Sequence, residues 1–193
     1  MARTPSTMLE LGTSAPAFTL TDPSSGRGYS LGDFSGSKAL LVVFICNHCP
    51  YVIHIIKEFV SLTHEFADQG LQVVAINSND VENYADDSPE KMISFAADHG
   101  FDFPYLYDET QQTAKDYQAA CTPDFYLFDA NQKLVWRGQF DDARPRNDEP
   151  VTGNDMRAAL EAILNDQPIP SEQKPSMGCN IKWKPGNEPS YYG

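Results

Sequence analysis

The chain has 193 residues and a formal net charge of −13, from 14 Lys and Arg against 27 Asp and Glu. This length suits one domain with a sizeable core and an appended tail, and the 41% hydrophobic content indicates a folded protein. Because nucleic acids and anionic membrane surfaces bind clustered cations, the acidic balance argues against both as partners.

Targeting features are missing from the sequence. No apolar run reaches the ~20 residues that cross a bilayer, and Met1–Leu20 lacks the continuous apolar stretch of a secretory leader. The sequence therefore predicts a cytoplasmic protein. Four cysteines are too few for a disulfide scaffold, and in a reducing compartment a close cysteine pair is more often catalytic or metal-binding than structural.

The first elements in chain order form a strand–helix–strand unit. Ala39–Ile45 is a continuous apolar run, which predicts a strand buried on both faces. Apolar residues then recur every three or four positions from Tyr51 to Gln69, which predicts a helix that Gly70 ends. Leu71–Ile76 predicts a second buried strand, parallel to the first because the connection is a right-handed helical crossover.

The later elements complete an α/β domain. Ser88 and Pro89 predict the start of a second helix that ends at Gly100. The remaining predicted elements are a short strand at Pro104–Tyr107, a weaker helix at Thr110–Ala119, a hairpin of Asp124–Phe128 and Lys133–Arg137, and a helix at Asp155–Leu164. We expect a central mixed β-sheet flanked by helices, with parallel strands first and a hairpin at the end.

The composition changes after residue 166. Prolines recur from Pro168 to Pro189 and exclude a helix, whereas Ile181, Trp183 and Tyr191 offer apolar anchors. We therefore predict a domain over residues 1–166 and an extended proline-rich tail over 167–193 that packs on it.

The cysteine pair Cys46 and Cys49 encloses Asn47 and His48 where the first strand meets the first helix. A helix N-terminus favours an anion, so a thiol there is expected to have a lowered pKa. We expect Cys46 to be exposed at the helix start and to react as a thiolate. Cys49, one turn deeper, would then release the substrate from the mixed disulfide.

Two alternatives remain open for this pair: a zinc half-site and two inert buried thiols. A structural zinc site needs a second close ligand pair. The other cysteines, Cys121 and Cys179, are single and far apart in sequence. We therefore predict dithiol chemistry with no metal and no other cofactor.

Several motifs together resemble the thioredoxin superfamily: the strand–CxxC–helix–strand order, the Thr122-Pro123 dipeptide before a strand, and the final hairpin and helix. Three segments resemble its redoxin branch, of the alkyl hydroperoxide reductase and thiol-specific antioxidant (AhpC/TSA) type, and these are Gly12–Leu20, Leu31–Gly36 and the helix and strand inserted between Asn77 and Tyr107. The resemblance covers about residues 9 to 165, and the tail is similar to that of a peroxiredoxin-like subgroup with CxxC. It implies a thioredoxin-like fold with an N-terminal extension, a helix–strand insertion and an extended C-terminal tail.

The resemblance also implies roles for residues near the dithiol. Pro123 is expected to follow a cis peptide bond packed against the dithiol, and the backbone of Thr122 to pair with a substrate chain. His48 resembles the disulfide isomerase pattern, in which an imidazole beside Cys46 stabilises the thiolate. We hypothesise a more oxidising couple than that of a typical thioredoxin, the alternative being a solvated histidine.

The sequence departs from thioredoxins in the strand that leads to the cysteine pair. Ile45 stands where thioredoxins usually carry Trp, and the first core strand lacks their buried Asp. Proton transfer to Cys49 must therefore come from elsewhere. Asp141 and Asp142, just after the last strand, are candidates, the alternative being two solvated loop acids.

The two other cysteines suggest a second redox pair. Cys121 directly precedes Thr122 and is expected near the dithiol, and Cys179 lies on a tail long enough to fold back over that surface. A relay between Cys121 and Cys179 is a hypothesis, and two unpaired thiols are the alternative.

The sequence thus predicts a thiol–disulfide oxidoreductase. Its substrate would be a disulfide in a protein or a small molecule, and its partner a dithiol reductant. One alternative is a thiol peroxidase with Cys46 as the peroxidatic cysteine, although Val43 stands where peroxiredoxins carry Thr, three positions upstream. The other is a non-enzymatic binding module in which the thiols are idle.

Overall fold

Two sheets and four α-helices organise residues 3–192, the part of the chain that this computed structural model describes. The strands are β1 (Arg3–Pro5), β2 (Thr19–Thr21), β3 (Gly28–Ser30), β4 (Ala39–Phe44), β5 (Leu71–Asn77), β6 (Tyr105–Tyr107), β7 (Cys121–Thr122), β8 (Asp124–Asp129), β9 (Leu134–Trp136) and β10 (Met177–Asn180). The α-helices are α1 (Pro50–Ala67), α2 (Pro89–His99), α3 (Gln112–Asp116) and α4 (Asn154–Leu164). Short 3-10 helices lie at Leu31–Phe34 and Ala85–Asp87.

The larger sheet has the strand order β3-β2-β6-β5-β4-β8-β9. Strand β4 pairs in parallel with β5, and β5 in parallel with β6, whereas β8 runs antiparallel to β4 and β9 antiparallel to β8. The predicted mixed sheet, with parallel strands first and a hairpin at the end, is confirmed.

Strand β4 lies at the centre of this sheet because all six of its residues are apolar and buried. Successive side chains of a strand point to opposite faces. Leu41 and Val43 therefore pack with α1 and α4, whereas Leu40 and Val42 pack on the other face with the aromatic rings of the hairpin.

The helix ends follow their capping residues. Helix α1 begins at Pro50, whose missing N–H costs nothing at the first helical position. Helix α2 begins after Ser88, whose side chain accepts a hydrogen bond from Lys91 N, and ends at Gly100 in the left-handed conformation at φ 68°. The predicted helix at Thr110–Ala119 is shorter than expected, since α3 covers Gln112–Asp116 only.

The N-terminus and the tail meet in a small second sheet of order β1-β10-β7. The sequence predicted an extended tail that packs on the domain, but it did not predict a strand within it. Strand β10 pairs antiparallel with both neighbours. Ile181 and Trp183, which follow it, are buried in the same apolar cluster as Leu40 and Val42 of the central strand. No helix within residues 3–192 has the length and apolar character needed to cross a membrane.

Candidate active site

The dithiol lies between strand β4 and helix α1, as the sequence predicted. Cys49 is the N-cap of the helix, and Cys46 precedes it by three residues in the loop after β4. The prediction that Cys46 takes the helix N-terminus is therefore wrong. The helix begins at Pro50, so the residue directly before it, Cys49, is closest to the positive end of the helix dipole.

Both sulfurs are inaccessible to solvent in this structure. Cys46 is 1% exposed and Cys49 is 0% exposed, so the expectation of an exposed Cys46 is wrong. The physical reason is packing from outside the helix: Thr122 contacts the pair, and strand β10 of the tail packs beside α1.

The segment Thr122-Pro123 packs directly against the dithiol. Its peptide bond is cis, as the resemblance implied. The Cys46 sulfur lies 3.5 Å from Thr122 Oγ1, and the protonated Cys49 donates to the carbonyl oxygen of Thr122 at 3.2 Å. Thr122 therefore contacts both sulfurs through different atoms.

The two thiols differ in pKa direction. Hydrogen bonds that the deprotonated Cys49 accepts from Cys179 and Cys46 hold the pKa of Cys49 well below its ordinary range. Burial raises the pKa of Cys46, and the neighbouring Cys49 and Asp87 raise it further. With the tail docked, these directions favour the thiolate at Cys49 over Cys46, whereas the sequence had predicted the thiolate at Cys46.

Asp87 is a site residue that sequence reasoning missed. Its carboxylate is fully buried and accepts hydrogen bonds from the backbone N–H of Asn47 at 2.8 Å and from Asn79 Nδ2 at 2.7 Å. It also lies 2.7 Å from His48 Nδ1 and raises the pKa of His48, mainly by this hydrogen bond. The two residues between the cysteines are thus both held by one carboxylate, and His48 is not a freely solvated side chain.

The same residues bear on the zinc alternative. The ligand atoms of Cys46, His48 and Asp87 all lie within 4.8 Å of one another, which is close enough to hold a metal ion. Both carboxylate oxygens of Asp87 already accept hydrogen bonds, however, and Nδ1 of His48 is engaged by one of them. A metal ion at this cluster would have to displace these contacts.

The tail contributes Cys179 to this site. Strand β10 pairs with β7 so that Cys179 lies directly opposite Thr122, and Asn180 opposite Cys121. The backbone of Thr122, expected to pair with a substrate chain, thus pairs with the protein's own tail. Cys179 is 3% exposed and belongs to the same apolar cluster as Cys46 and Cys49.

The predicted partner Cys121 faces the other way. Neighbouring residues of a strand alternate between faces, so Cys121 points away from the face on which Thr122 meets the dithiol. Its thiol donates to the carbonyl oxygen of Pro123 at 3.5 Å, and burial raises its pKa. The register therefore brings Cys179 to the dithiol rather than to Cys121, and a relay between Cys121 and Cys179 stays a prediction.

The two acids proposed for proton transfer differ in burial and in their contacts. The buried carboxylate of Asp141 accepts hydrogen bonds from the backbone N–H groups of Ala143, Thr152 and Gly153 at 2.7–2.9 Å. Asp142 is exposed and contacts Lys174 at 3.1 Å. The charge of Asp87 raises the pKa of Cys46, and proton transfer by Asp141 or Asp142 stays a prediction.

Comparison with known families gives a match over residues 11–137, which fit the AhpC/TSA family. The chain belongs to the AhpC/TSA family. The match covers more than half of the chain and includes the dithiol, Asp87 and Thr122-Pro123. The predicted redoxin branch and thioredoxin-like fold are thereby confirmed, and similar folds occur among solved structures.

Relatives of this AhpC/TSA protein carry two kinds of name. A Mycobacterium tuberculosis protein named "putative peroxiredoxin" is 31% identical over 109 residues, which are 56% of this chain and 64% of that protein. The chain thus matches somewhat less than two thirds of that relative's length. The thiol-disulfide oxidoreductase ResA of Geobacillus kaustophilus is 28% identical over 133 residues, which are 68% of this chain and 70% of ResA.

Similarity to one solved structure extends through the tail of the AhpC/TSA chain. The crystal structure of an uncharacterized conserved protein from Geobacillus kaustophilus has 53% sequence identity and a TM-score of 0.94, and the match covers 96% of this chain and 98% of that one. The match therefore includes most of the tail.

Proposed function

We propose that the protein is a thiol–disulfide oxidoreductase in which Cys46 and Cys49 alternate between dithiol and disulfide. A substrate disulfide takes up two electrons and two protons and leaves as two thiols, while a bond forms between the two protein sulfurs. A dithiol reductant returns the pair to its starting state. We propose that the protein acts in the cytoplasm, where reducing conditions keep such a pair available.

One observation carries this proposal: the two sulfurs lie against a single residue, Thr122, with a sharp difference in pKa between them. Exchange needs one thiolate to attack and one neighbouring thiol to complete the disulfide. The lowered pKa of Cys49 supplies the thiolate at neutral pH, and Cys46 is the adjacent thiol.

Disulfide reduction by a dithiol is the direct test. Purified protein should accelerate the reduction of insulin and of oxidised glutathione by dithiothreitol. Cys46→Ala and Cys49→Ala should each lose that acceleration, whereas Ser61→Ala, on the exposed side of α1, should retain it. Equal rates in wild type and in the two cysteine variants would contradict the proposal and favour the non-enzymatic binding module.

The attacking sulfur is assigned by trapping. A variant that keeps only the attacking cysteine accumulates a mixed disulfide, because nothing displaces the substrate. Accumulation in Cys49→Ser would assign the attack to Cys46, as the resemblance implies. Accumulation in Cys46→Ser would assign it to Cys49, as the pKa directions favour. A metal chelator tests the zinc alternative in the same insulin assay. A rate of insulin reduction that the chelator leaves unchanged would argue against a metal.

Peroxide reduction is the second candidate, and the family match favours it. Attack on peroxide requires a thiolate at the peroxidatic cysteine, and burial and neighbouring negative charge raise the pKa of Cys46. We therefore expect peroxide to oxidise the pair more slowly than a small disulfide does. Stopped-flow oxidation of the reduced protein by each reagent compares the two activities.

A further inference from the structure

The tail strand β10 is fitted closely to the segment that contacts the dithiol. Cys179 lies opposite Thr122 in the β7–β10 ladder, and Gly178 beside it has no room for a side chain, since an added Cβ would overlap the Thr122 carbonyl oxygen. Ser176 Oγ donates to the carbonyl oxygen of Pro123 at 2.6 Å. The backbone N–H of Ile181 donates to Ala120 O at 3.1 Å. The tail is thus anchored on both sides of Cys179.

This anchoring brings a third sulfur to the dithiol. Residues directly opposite in an antiparallel ladder share a face, so the Cys179 side chain lies on the face from which Thr122 contacts Cys46. The Cys179 thiol donates a hydrogen bond to the Cys49 sulfur. All three cysteines are buried in one apolar cluster.

We propose that Cys179 is a third redox cysteine, which replaces Cys46 as the disulfide partner of Cys49. This inference rests on the proposed function, because it begins from an oxidised Cys46–Cys49 pair. The Cys179 thiolate attacks the Cys49 sulfur, the bond between Cys49 and Cys46 breaks, and a Cys49–Cys179 bond forms. Cys46 leaves as a thiolate and gains one proton, which balances the proton that Cys179 lost. No external oxidant or reductant enters this step.

The electrostatics of the site change in favour of this step on oxidation. In the dithiol state the hydrogen bond that Cys179 donates to the Cys49 sulfur is the main cause of the raised pKa of Cys179, and burial and the negative charge on Cys49 raise it further. Once Cys49 is part of a disulfide it is no longer a thiolate, so it neither accepts this hydrogen bond as an anion nor adds its charge to the increase. Cys179 is then easier to deprotonate beside the sulfur that it attacks.

The exchange has two consequences for the site. It returns Cys46 to the thiol form, and the disulfide now joins Cys49 to Cys179 of the tail. It also links strand β10 covalently to the start of α1, so that the tail stays docked over the oxidised site. The reductant that regenerates the protein then meets a disulfide which includes a tail cysteine.

Disulfide mapping of the full chain tests the proposal. The Cys46→Ser variant is equilibrated in a glutathione redox buffer, quenched in acid and digested with trypsin. Lys57 and Lys133 place the dithiol, Cys121 and Cys179 in three separate peptides. We expect a Cys49–Cys179 cross-link in Cys46→Ser and in the double variant with Cys121→Ala. Wild type oxidised in the same buffer should be a mixture in which some molecules contain the Cys46–Cys49 disulfide and others the Cys49–Cys179 disulfide.

Cys46→Ala serves as a second variant should Cys46→Ser fold poorly. The inference is overturned if Cys49 in both variants remains reduced or is only glutathionylated, or if Cys179 links to Cys121. Failure of the proposed function gives a different pattern, since wild type would then form no Cys46–Cys49 disulfide and would not accelerate insulin reduction. A Cys179→Ala protein that forms the Cys46–Cys49 disulfide alone supports the proposed assignment.

Discussion

The buried carboxylate of Asp87 lies 2.7 Å from Nδ1 of His48, a residue between the two cysteines. The same carboxylate accepts the backbone N–H groups of Asn47 and His48, so it fixes the backbone of the dithiol loop as well as the imidazole. Asp87 thereby holds the backbone of the dithiol loop and favours the charged form of His48.

Replacing Asp87 with Asn should lower the pKa of His48, because the hydrogen bond to Asp87 is the main cause of its increase. Nuclear magnetic resonance titration of the imidazole measures this change. Asp102→Asn is the matched control, since Asp102 pairs with the exposed His64 at 3.3 Å and should not affect His48. A titration of His48 that is the same in Asp87→Asn and in wild type would contradict the assignment.

The same pair predicts the sign of a pH effect on stability. The pKa of His48 is raised in the folded protein above its ordinary value of 6.5, so the folded state holds this proton more tightly. The resulting contribution to the free energy of unfolding is complete below about pH 6.5 and is lost as the pH rises through the higher folded pKa. Urea unfolding on both sides of this window should show that loss in wild type and a smaller one in Asp87→Asn.

Cys179→Ala should raise the pKa of Cys49, because it removes the hydrogen bond that contributes most to lowering that pKa. The thiolate absorbance of the reduced protein, followed against pH, measures the change. Cys121→Ala removes a thiol that donates to the carbonyl oxygen of Pro123 instead, so it should have a smaller effect. Equal titrations in wild type and Cys179→Ala would exclude the tail thiol as the cause.

The neighbouring acids Asp141 and Asp142 should differ in their contribution to stability. Asp141→Ala leaves three backbone N–H groups without their acceptor, which should lower the free energy of unfolding by about 3 kcal/mol. Asp142→Ala removes an exposed ion pair, which should have a much smaller effect because solvent screens it. Urea unfolding of both variants gives the comparison, and equal losses would contradict a loop-holding role for Asp141.

The central strand–helix–strand unit could be predicted because its signals are local. The apolar run of β4 and the three- and four-residue spacing in α1 each fix an element without reference to the rest of the chain. The position of the dithiol between them follows from the same signals. The residues that cover the dithiol could not be predicted from these signals. Thr122 and Cys179 lie on segments more than 70 residues away from it in sequence.

The two features that the sequence did not reveal depend on such distant contacts. Asp87 meets the dithiol loop across 40 residues, and nothing in its local sequence distinguishes it from Asp86 beside it. Strand β10 is four residues long, contains Gly178 and shows no alternating pattern. It exists as a strand because β1 and β7 supply its hydrogen-bonding partners, which the residues of the tail alone do not indicate.

The docking of the tail over the dithiol predicts the effect of a single methyl group. Gly178→Ala should displace strand β10, because the added Cβ would overlap the Thr122 carbonyl oxygen, and overpacking of this kind costs about 1–3 kcal/mol. Since the tail strand packs beside the pair, Cys46 and Cys49 should be alkylated faster in this variant. Mass spectrometry of iodoacetamide-treated protein gives the rate at each site.

Gly28→Ala is the matched control for this substitution. Gly28 also lies in a short strand, but nothing stands within 4 Å of the Cβ that alanine would add. The control should alkylate at the wild-type rate. Hydrogen exchange distinguishes local displacement from general unfolding, because only residues 177–180 and their partners in β1 and β7 should lose protection in Gly178→Ala. If Cys46 and Cys49 were alkylated at the wild-type rate in Gly178→Ala, the tail would not be what keeps solvent from the two sulfurs.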